Sequence, residues 1–302
     1  MLRGGRKPMG SDPGDRCYDK MSTNTAVCNV CFRHCELREG ATGFCGARVC
    51  RGGKVVAENY GCVTSLALDP IEKKPLSRFY PGSLILSVGS YGCNLRCPFC
   101  QNSEISWGDE VKLYREDARI IDPEELVSIA LKYRDRGNIG IAFTYNEPLT
   151  GYEFIRDTAK ISHENGLKNV IVSNGTAELD ILRQIAPYID AMNIDLKCFD
   201  AGIYKNTLGG DFEMTKMFIK EAAEASHVEL TTLIVPGIND SIDMMREEAE
   251  WISSVSEKIP LHVSRFHPCF HMTDRGPTPV STVYELAKTA RKKLKYVYTG
   301  NC

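Results

Sequence analysis

From Leu84 onward the chain alternates short apolar runs with helical stretches, the pattern of a parallel sheet with crossover helices. Residues 84–88, 139–143, 169–172, 191–194, 228–235 and 261–263 are the clearest strands, and 296–298 is a seventh candidate. The stretches between them carry helix signals. Asp122 can cap a helix with Pro123 in its first turn and Glu125 three residues on. Leu126, Ile129, Ala130 and Tyr133 then share one face, and Gly137 suits the stop. Ser241 can cap a second helix, with Met245, Ala249 and Ile252 on its buried side, and Thr282 with Glu285 has capping-box spacing before a last one. The predicted fold is α/β: a (β/α) barrel, TIM-barrel-like but partial, because six or seven strands can be counted and not eight. A chain of 302 residues with 43% hydrophobic content is long enough to bury one large core with a small appendage.

In such units, ligand and catalytic groups collect where strands deliver the chain into loops at their C-terminal ends. The unusual motifs of this chain sit there. Gly92-Cys93-Asn94-Leu95-Arg96-Cys97-Pro98-Phe99-Cys100 follows the first strand, and Thr144-Tyr145-Asn146-Glu147-Pro148 the second. Ser173-Asn174-Gly175-Thr176, Asp195-Leu196-Lys197, Pro236-Gly237-Ile238-Asn239-Asp240 and Arg265-Phe266-His267-Pro268 follow the next four. The Cys-x3-Cys-x2-Cys spacing of Cys93, Cys97 and Cys100 is the sharpest signal. Three thiolates on one compact loop can hold three irons of a [4Fe-4S] cube and leave the fourth open, whereas electron-transfer clusters take four Cys. A zinc ion completed by a remote ligand, or unmetallated thiols, would use the same residues. The preceding strand and Phe99 favour the cluster, since zinc is usually held by paired Cys or His ligands.

The cysteines are unevenly placed. Ten of thirteen lie at or before Cys100, leaving Cys198, Cys269 and Cys302 beyond. In a chain expected to stay in the reducing cytoplasm, this many thiols point to metal before disulfides. Cys28-x2-Cys31-x3-Cys35-x9-Cys45 offers four ligands in one short module, with His34, Cys50 and Cys62 as substitutes. A module this small buries little apolar surface and gains from a metal. Zinc and a second iron-sulfur cluster both suit thiolates, and a loop of free thiols is the third reading. The expected organisation is a disordered leader over 1–27, a Cys-rich metal-binding module and linker over 28–80, and the main domain over 81–302.

Lys+Arg 37 against Asp+Glu 39 gives a formal charge of -2, with no cationic excess for a nucleic-acid backbone. No apolar run approaches the roughly 18 to 20 residues that span a bilayer, and the first residues lack the apolar core of a secretory signal. A cytoplasmic protein with neither nucleic acid nor membrane as partner is therefore expected.

The loop from Gly92 to Cys100 resembles the cluster loop of the radical S-adenosylmethionine (SAM) superfamily, and the later loops resemble those of its pyruvate formate-lyase activating enzyme branch. The run from Cys28 to Cys45, Asp69-Pro70-Ile71-Glu72-Lys73-Lys74-Pro75-Leu76, Cys97-Pro98-Phe99-Cys100-Gln101-Asn102-Ser103-Glu104-Ile105-Ser106, Thr144 to Pro148, Arg265 to Pro268 and the terminal Tyr296 to Asn301 are similar to the radical SAM enzymes of the AmmeMemoRadiSam system. The resemblance runs from about residue 28 to the C-terminus. It implies a radical SAM partial barrel in which SAM chelates the open iron and is reductively cleaved to a 5'-deoxyadenosyl radical that abstracts hydrogen from a substrate. It also implies a low-potential electron donor. Residue by residue, it implies that Glu147, with Asn146 beside it, receives the SAM amino group. Many relatives have Gly-Gly-Glu there, and Tyr145 and Asn146 replace those glycines. Ser173 and Asn174 occupy the position used for the ribose or carboxylate of SAM. Asp195 and Lys197 match an Asp-Leu-Lys loop beside SAM and substrate, although Lys197 would also serve as a solvated rim charge. His267 matches a His that contacts SAM, or one hydrogen-bonded to its neighbours. No catalytic side chain is assigned beyond cluster and SAM; Lys197 and Cys269 are the candidates, with Cys269 a hydrogen donor or a small buried filler.

The branch implies an activating enzyme that places a glycyl radical on a protein partner. Radical chemistry on a small molecule or another protein is the second reading, kept open by the association of the subfamily with Memo-like and AmmeCR-type proteins. A non-catalytic iron-sulfur or zinc scaffold is the third.

Overall fold

The computed structural model describes residues 25–302. The expected leader therefore lies outside the described residues up to 24, and its last three residues are already a strand, β1 (Thr25–Val27). This pairs antiparallel with β2 (Glu36–Arg38), and β3 (Arg48–Arg51) pairs with β4 (Lys54–Ala57). Two hairpins thus make up most of the Cys-rich module. The short β5 (Cys62–Val63) leads out of it to β6 (Ser65–Pro70).

β6 runs antiparallel to β7 (Leu84–Gly89), the first strand of the barrel. After β8 (Arg119–Ile120), which pairs back onto β5, come β9 (Asn138–Phe143), β10 (Lys168–Ser173), β11 (Ala191–Asp195), β12 (His227–Ile234), β13 (Leu261–Arg265) and β14 (Val297–Gly300). The sheet order is β14-β13-β12-β11-β10-β9-β7-β6, and every pair from β7 to β14 is parallel. The expected seven parallel strands are all present. The eighth strand is the antiparallel β6, and among the described residues no pairing joins it to β14, so the sheet is not closed.

Alternation along each strand sends one set of side chains outward to the helices and the other into the barrel. Leu230, Leu261 and Val263 face helices 242–256 and 280–290 in the main core, while His262 and Ser264 face inward. The helix signals hold where a side chain can reach an orphan amide. Asp122 accepts from the Glu125 amide and Ser241 from the Met244 amide. The Thr282-Glu285 box does not form. Helix Val280–Ala290 begins two residues earlier behind Pro279, whose carbonyl accepts from Thr282 and Val283, so Thr282 already sits inside the first turn.

The segment expected as a linker seals the lower end of the barrel. Ile71, Leu76 and Phe79 pack with Ile85, Ala142, Val170 and Ala191 in a core of their own. Above that layer Glu229, fully buried, accepts from the amides of Ser77 (3.0 Å) and Arg78 (2.8 Å) and lies against His227 (2.9 Å) and His262 (2.7 Å). Burial alone would raise its pKa; the bonds from His227, His262 and the two amides outweigh that and hold it near about 2. The strap leaves the C-terminal ends of the strands as the open mouth. Among the described residues no helix is long and apolar enough to cross a membrane.

Candidate active site

The loops after β7, β9, β10 and β11 converge on a cavity of about 720 Å³ at that mouth. Its wall includes Cys93, Cys97, Cys100, Asn146, Glu147, Ser173, Asn174, Asp195 and Lys197, which the sequence places on four separate loops.

The cysteine loop is held from several sides. Gly92 sits at φ +97°, and a Cβ there would meet Ala47 Cβ at 2.7 Å and Cys45 O at 2.8 Å. Only glycine lets the chain turn there while the N-terminal module packs against it. The Cys93 amide donates to Cys45 O at 3.0 Å, the Arg96 amide to Leu208 O at 2.8 Å, and the Cys100 amide to Cys97 O at 3.2 Å. Asn146 acts as a staple, donating to Gly92 O at 3.1 Å and accepting from the Ser90 amide at 3.1 Å. Its side chain thus braces the adjoining loop while lining the cavity.

Tyr145 adopts φ +74°, where a bulky residue is strained by about 1–3 kcal/mol. It is held by a contact the sequence does not announce. Its hydroxyl donates to Asp69 Oδ2 at 2.7 Å, the atom that also binds Lys74 Nζ at 2.9 Å, and that ammonium lies 4.5 Å from the ring centroid. Burial opposes the Asp69 charge, but the Tyr145 and Lys74 hydrogen bonds prevail and hold its pKa well below the usual range. The backbone bend at Tyr145 aims Glu147 into the barrel.

Glu147 is 3% exposed and accepts from the Ser173 hydroxyl (2.8 Å), the Leu149 amide (3.1 Å) and the Asn174 amide (2.8 Å). Burial pushes its carboxyl up to about 7, against the pull of those bonds. Asn174 donates to Asn94 Oδ1 at 2.9 Å and reaches Cys93 Sγ at 3.8 Å, which ties the carboxylate loop to the cysteine loop. Gly175, at φ +68°, lets this turn press on Ile194, whose Cγ2 would lie 2.8 Å from a Cβ. On the far side Lys197 Nζ pairs with Asp195 Oδ2 at 2.9 Å. Burial works against the Lys197 charge, but the Asp195 and Cys97 charges outweigh it and keep the ammonium protonated above its ordinary pKa.

Two expected residues stand apart. His267 is exposed, 3.5 Å from Asn301 O, and is absent from the described residues that line the cavity, because the chain turns outward after Phe266. Cys269 also lies off the wall, its thiol donating to Phe99 O at 3.3 Å behind the cysteine loop. Conversely, Lys74, Ser77, His262, Ser264, Tyr298 and Asn301 form a far wall to which the sequence reading assigned no site role. The inward alternation of β13 and β14 was the available signal.

The donor set fits an iron-sulfur cluster with one open iron. Three thiols of one loop line the cavity, and no fourth cysteine does so among the described residues. A buried carboxylate and an ammonium flank them, the first suited to an amino group and the second to offsetting the negative charge of thiolate-bound iron.

The profile described as "Radical SAM superfamily" matches residues 87–252. An uncharacterized protein of Methanocaldococcus jannaschii is 42% identical over 94% of this chain and 84% of its own length. A pyruvate formate-lyase-activating enzyme of Clostridium pasteurianum is 27% identical over 56% of this chain and 71% of its own. In fold, the chain resembles Streptococcus suis SuiB bound to S-adenosylmethionine, with TM-score 0.55 and 15% identity over 70% of this chain and 48% of that one. The profile match from β7 to β12, which includes the cysteine loop, places this chain in the radical SAM superfamily, as an α/β enzyme of a family that binds a [4Fe-4S] cluster and SAM.

Proposed function

We propose that this enzyme acts on a protein, abstracting hydrogen from a backbone position of a segment that enters the mouth, as a glycyl-radical activating enzyme would. The observation that carries this reading is the extent of the cavity, about 720 Å³ with a lining that reaches β13 and β14. Beyond the groups suited to SAM it continues to the polar far wall of His262, Ser264, Tyr298 and Asn301, which offers hydrogen-bond partners to a peptide. The activating-enzyme relatives of Clostridium pasteurianum and Methanocaldococcus jannaschii support the same reading at 27% and 26% identity.

In this proposal Cys93, Cys97 and Cys100 hold the cluster. Bound cluster and SAM supply a one-electron cleavage of SAM that yields a hydrogen-abstracting radical. The residues of the chain orient and protect. Glu147, already fixed by Ser173, Asn174 and Leu149, receives the amino group of SAM. An ammonium brought against it favours its carboxylate form. Ser173 and Asn174 sit beside the remaining polar groups, Asp195 holds Lys197 toward Cys97, and Leu95 and Phe99 exclude water from the cysteine wall.

The test uses anaerobically reconstituted protein, dithionite and SAM, with 5'-deoxyadenosine as product. Cleavage is expected in the wild type and loss of it in Cys97→Ala; full activity in that variant would sink the cluster assignment. A glycyl-radical electron paramagnetic resonance (EPR) signal on a co-purified partner is the second expected result. Its absence across candidate partners, with SAM cleavage intact, would refute protein activation.

A further inference from the structure

The N-terminal cysteines remain after the SAM site is built, and their placement is specific. The β1–β2 ladder continues one step past Val27, so that the Cys28 amide donates to Cys35 O at 3.0 Å. Cys31 lies in the loop between them, and Cys28 and Cys31 are only 6% and 8% exposed. Cys45 arrives from the turn before β3, and charge on any one of Cys28, Cys31 and Cys45 is felt among the others. The alternative ligands are engaged elsewhere. His34 Nε2 is 3.2 Å from Glu178, Cys62 is directed at Glu58 O (3.7 Å), and Cys50 at Glu39 (3.9 Å).

The four thiols adjoin the SAM-side loop directly. Cys45 O accepts from the Cys93 amide, and the Asn94 side chain, close to Cys31, accepts from Asn174 and donates to Thr176 O at 2.8 Å. The Arg33 guanidinium donates to Asn94 O at 2.9 Å and lies within electrostatic reach of Cys31, Cys35, Cys45 and Cys93. One cation thus serves thiols of both sets.

We infer that Cys28, Cys31, Cys35 and Cys45 bind a second iron-sulfur cluster of the four-thiolate [4Fe-4S] kind, set directly against the loop of Cys93, Cys97 and Cys100. A single zinc ion would need its thiolates about 3.8 Å apart at a Zn–S length near 2.3 Å. Among the described residues no three donors close on one ion, either here or at Cys93, Cys97 and Cys100. A cube spreads its thiolates further because each binds a different iron. Four ligands leave no open iron, so this cluster takes no substrate and is suited to passing electrons. With a low-potential one-electron donor as source, it is oxidised by one electron as the SAM-side cluster is reduced by one. That role rests on Cys93, Cys97 and Cys100 holding a SAM-binding cluster; the binding does not.

The experiment is metal and acid-labile sulfide analysis of the full chain after anaerobic reconstitution, with EPR after dithionite reduction. About eight irons per chain are expected in the wild type, and about four in Cys93→Ala/Cys97→Ala/Cys100→Ala, with an EPR signal that SAM does not alter. In Cys28→Ala/Cys31→Ala, about four irons with a SAM-sensitive signal are expected. An iron-free triple variant, or a wild type holding about four irons and one zinc, overturns the inference and leaves the SAM-side cluster standing. About four irons in both the wild type and the triple variant would instead remove the SAM-side reading and keep this one. The triple variant leaves the N-terminal ligands intact, so its iron content tests the second cluster even if Cys28→Ala/Cys31→Ala fails to fold.

Discussion

Glu248 is 1% exposed on helix Ile242–Ser256, and its hydrogen-bond partner is the Thr232 hydroxyl. That hydroxyl also lies 2.9 Å from Leu196 O, in the loop that carries Asp195 and Lys197. One hydroxyl has one proton, so both contacts are satisfied when a neutral Glu248 donates to Thr232 and Thr232 donates to Leu196 O. Burial, opposed only by the Thr232 hydrogen bond, pushes the carboxyl up to about 8. The unfolded chain loses this proton near its ordinary pKa of about 4.3, while the folded chain keeps it. Stability present below pH about 4.3 is therefore lost as pH rises toward 8, at about 1.36 kcal/mol per pH unit. Glu248→Gln keeps a donor in place and removes the titration. The stability of the Gln variant relative to wild type should grow by about 2.7 kcal/mol between pH 5 and pH 7. Anaerobic urea unfolding followed by circular dichroism at pH 5, 6 and 7 measures it, with equal m-values required for the comparison. A difference constant to within about 0.5 kcal/mol over that window would refute a neutral, buried Glu248.

Glu147→Gln removes the charge that would receive the amino group of SAM while preserving side-chain shape. The dissociation constant for SAM, measured by anaerobic calorimetry, should rise about 10- to 150-fold for a lost charge-assisted bond, with iron content unchanged; unchanged affinity would dismiss Glu147 as a SAM contact. Gly92→Ala places a Cβ against Ala47 and Cys45 O at φ +97°, which should cost about 3 kcal/mol and lower Tm by about 6–12 °C. A Tm within about 2 °C of wild type would show that the two cysteine loops are not held against each other as described.

The parallel strands were legible because each is a compact apolar run between polar loops, and the strand ends located most of the site. β6 was not legible. Ser65–Pro70 has Pro at its end and a mostly exposed face, so nothing local distinguishes an edge strand from a linker. The Asp69–Tyr145 bond joins residues 76 apart, and no local periodicity encodes it. His267 shows the limit of reasoning by strand end: the position after β13 is at the mouth, but the direction in which the chain leaves decides whether the ring faces the cavity. Asn146 shows another limit. Beside Glu147, its side-chain amide accepts from the Ser90 amide and donates to the Gly92 carbonyl, and no local pattern encodes that pairing across 54 residues or more.

The site is built so that its expensive groups are already satisfied before any ligand arrives. Glu147 would be costly to bury without Ser173, Asn174 and Leu149, and Lys197 without Asp195. Asn174 carries the order onward to Asn94, whose amide donates to Thr176 O at 2.8 Å. A ligand that meets Glu147 therefore needs no rearrangement of the cysteine loop, because the residues that orient the carboxylate also brace that loop. The same economy makes the two cysteine sets interdependent. Gly92 admits Cys45 to the loop of Cys93, so the N-terminal module supports the wall formed by that loop.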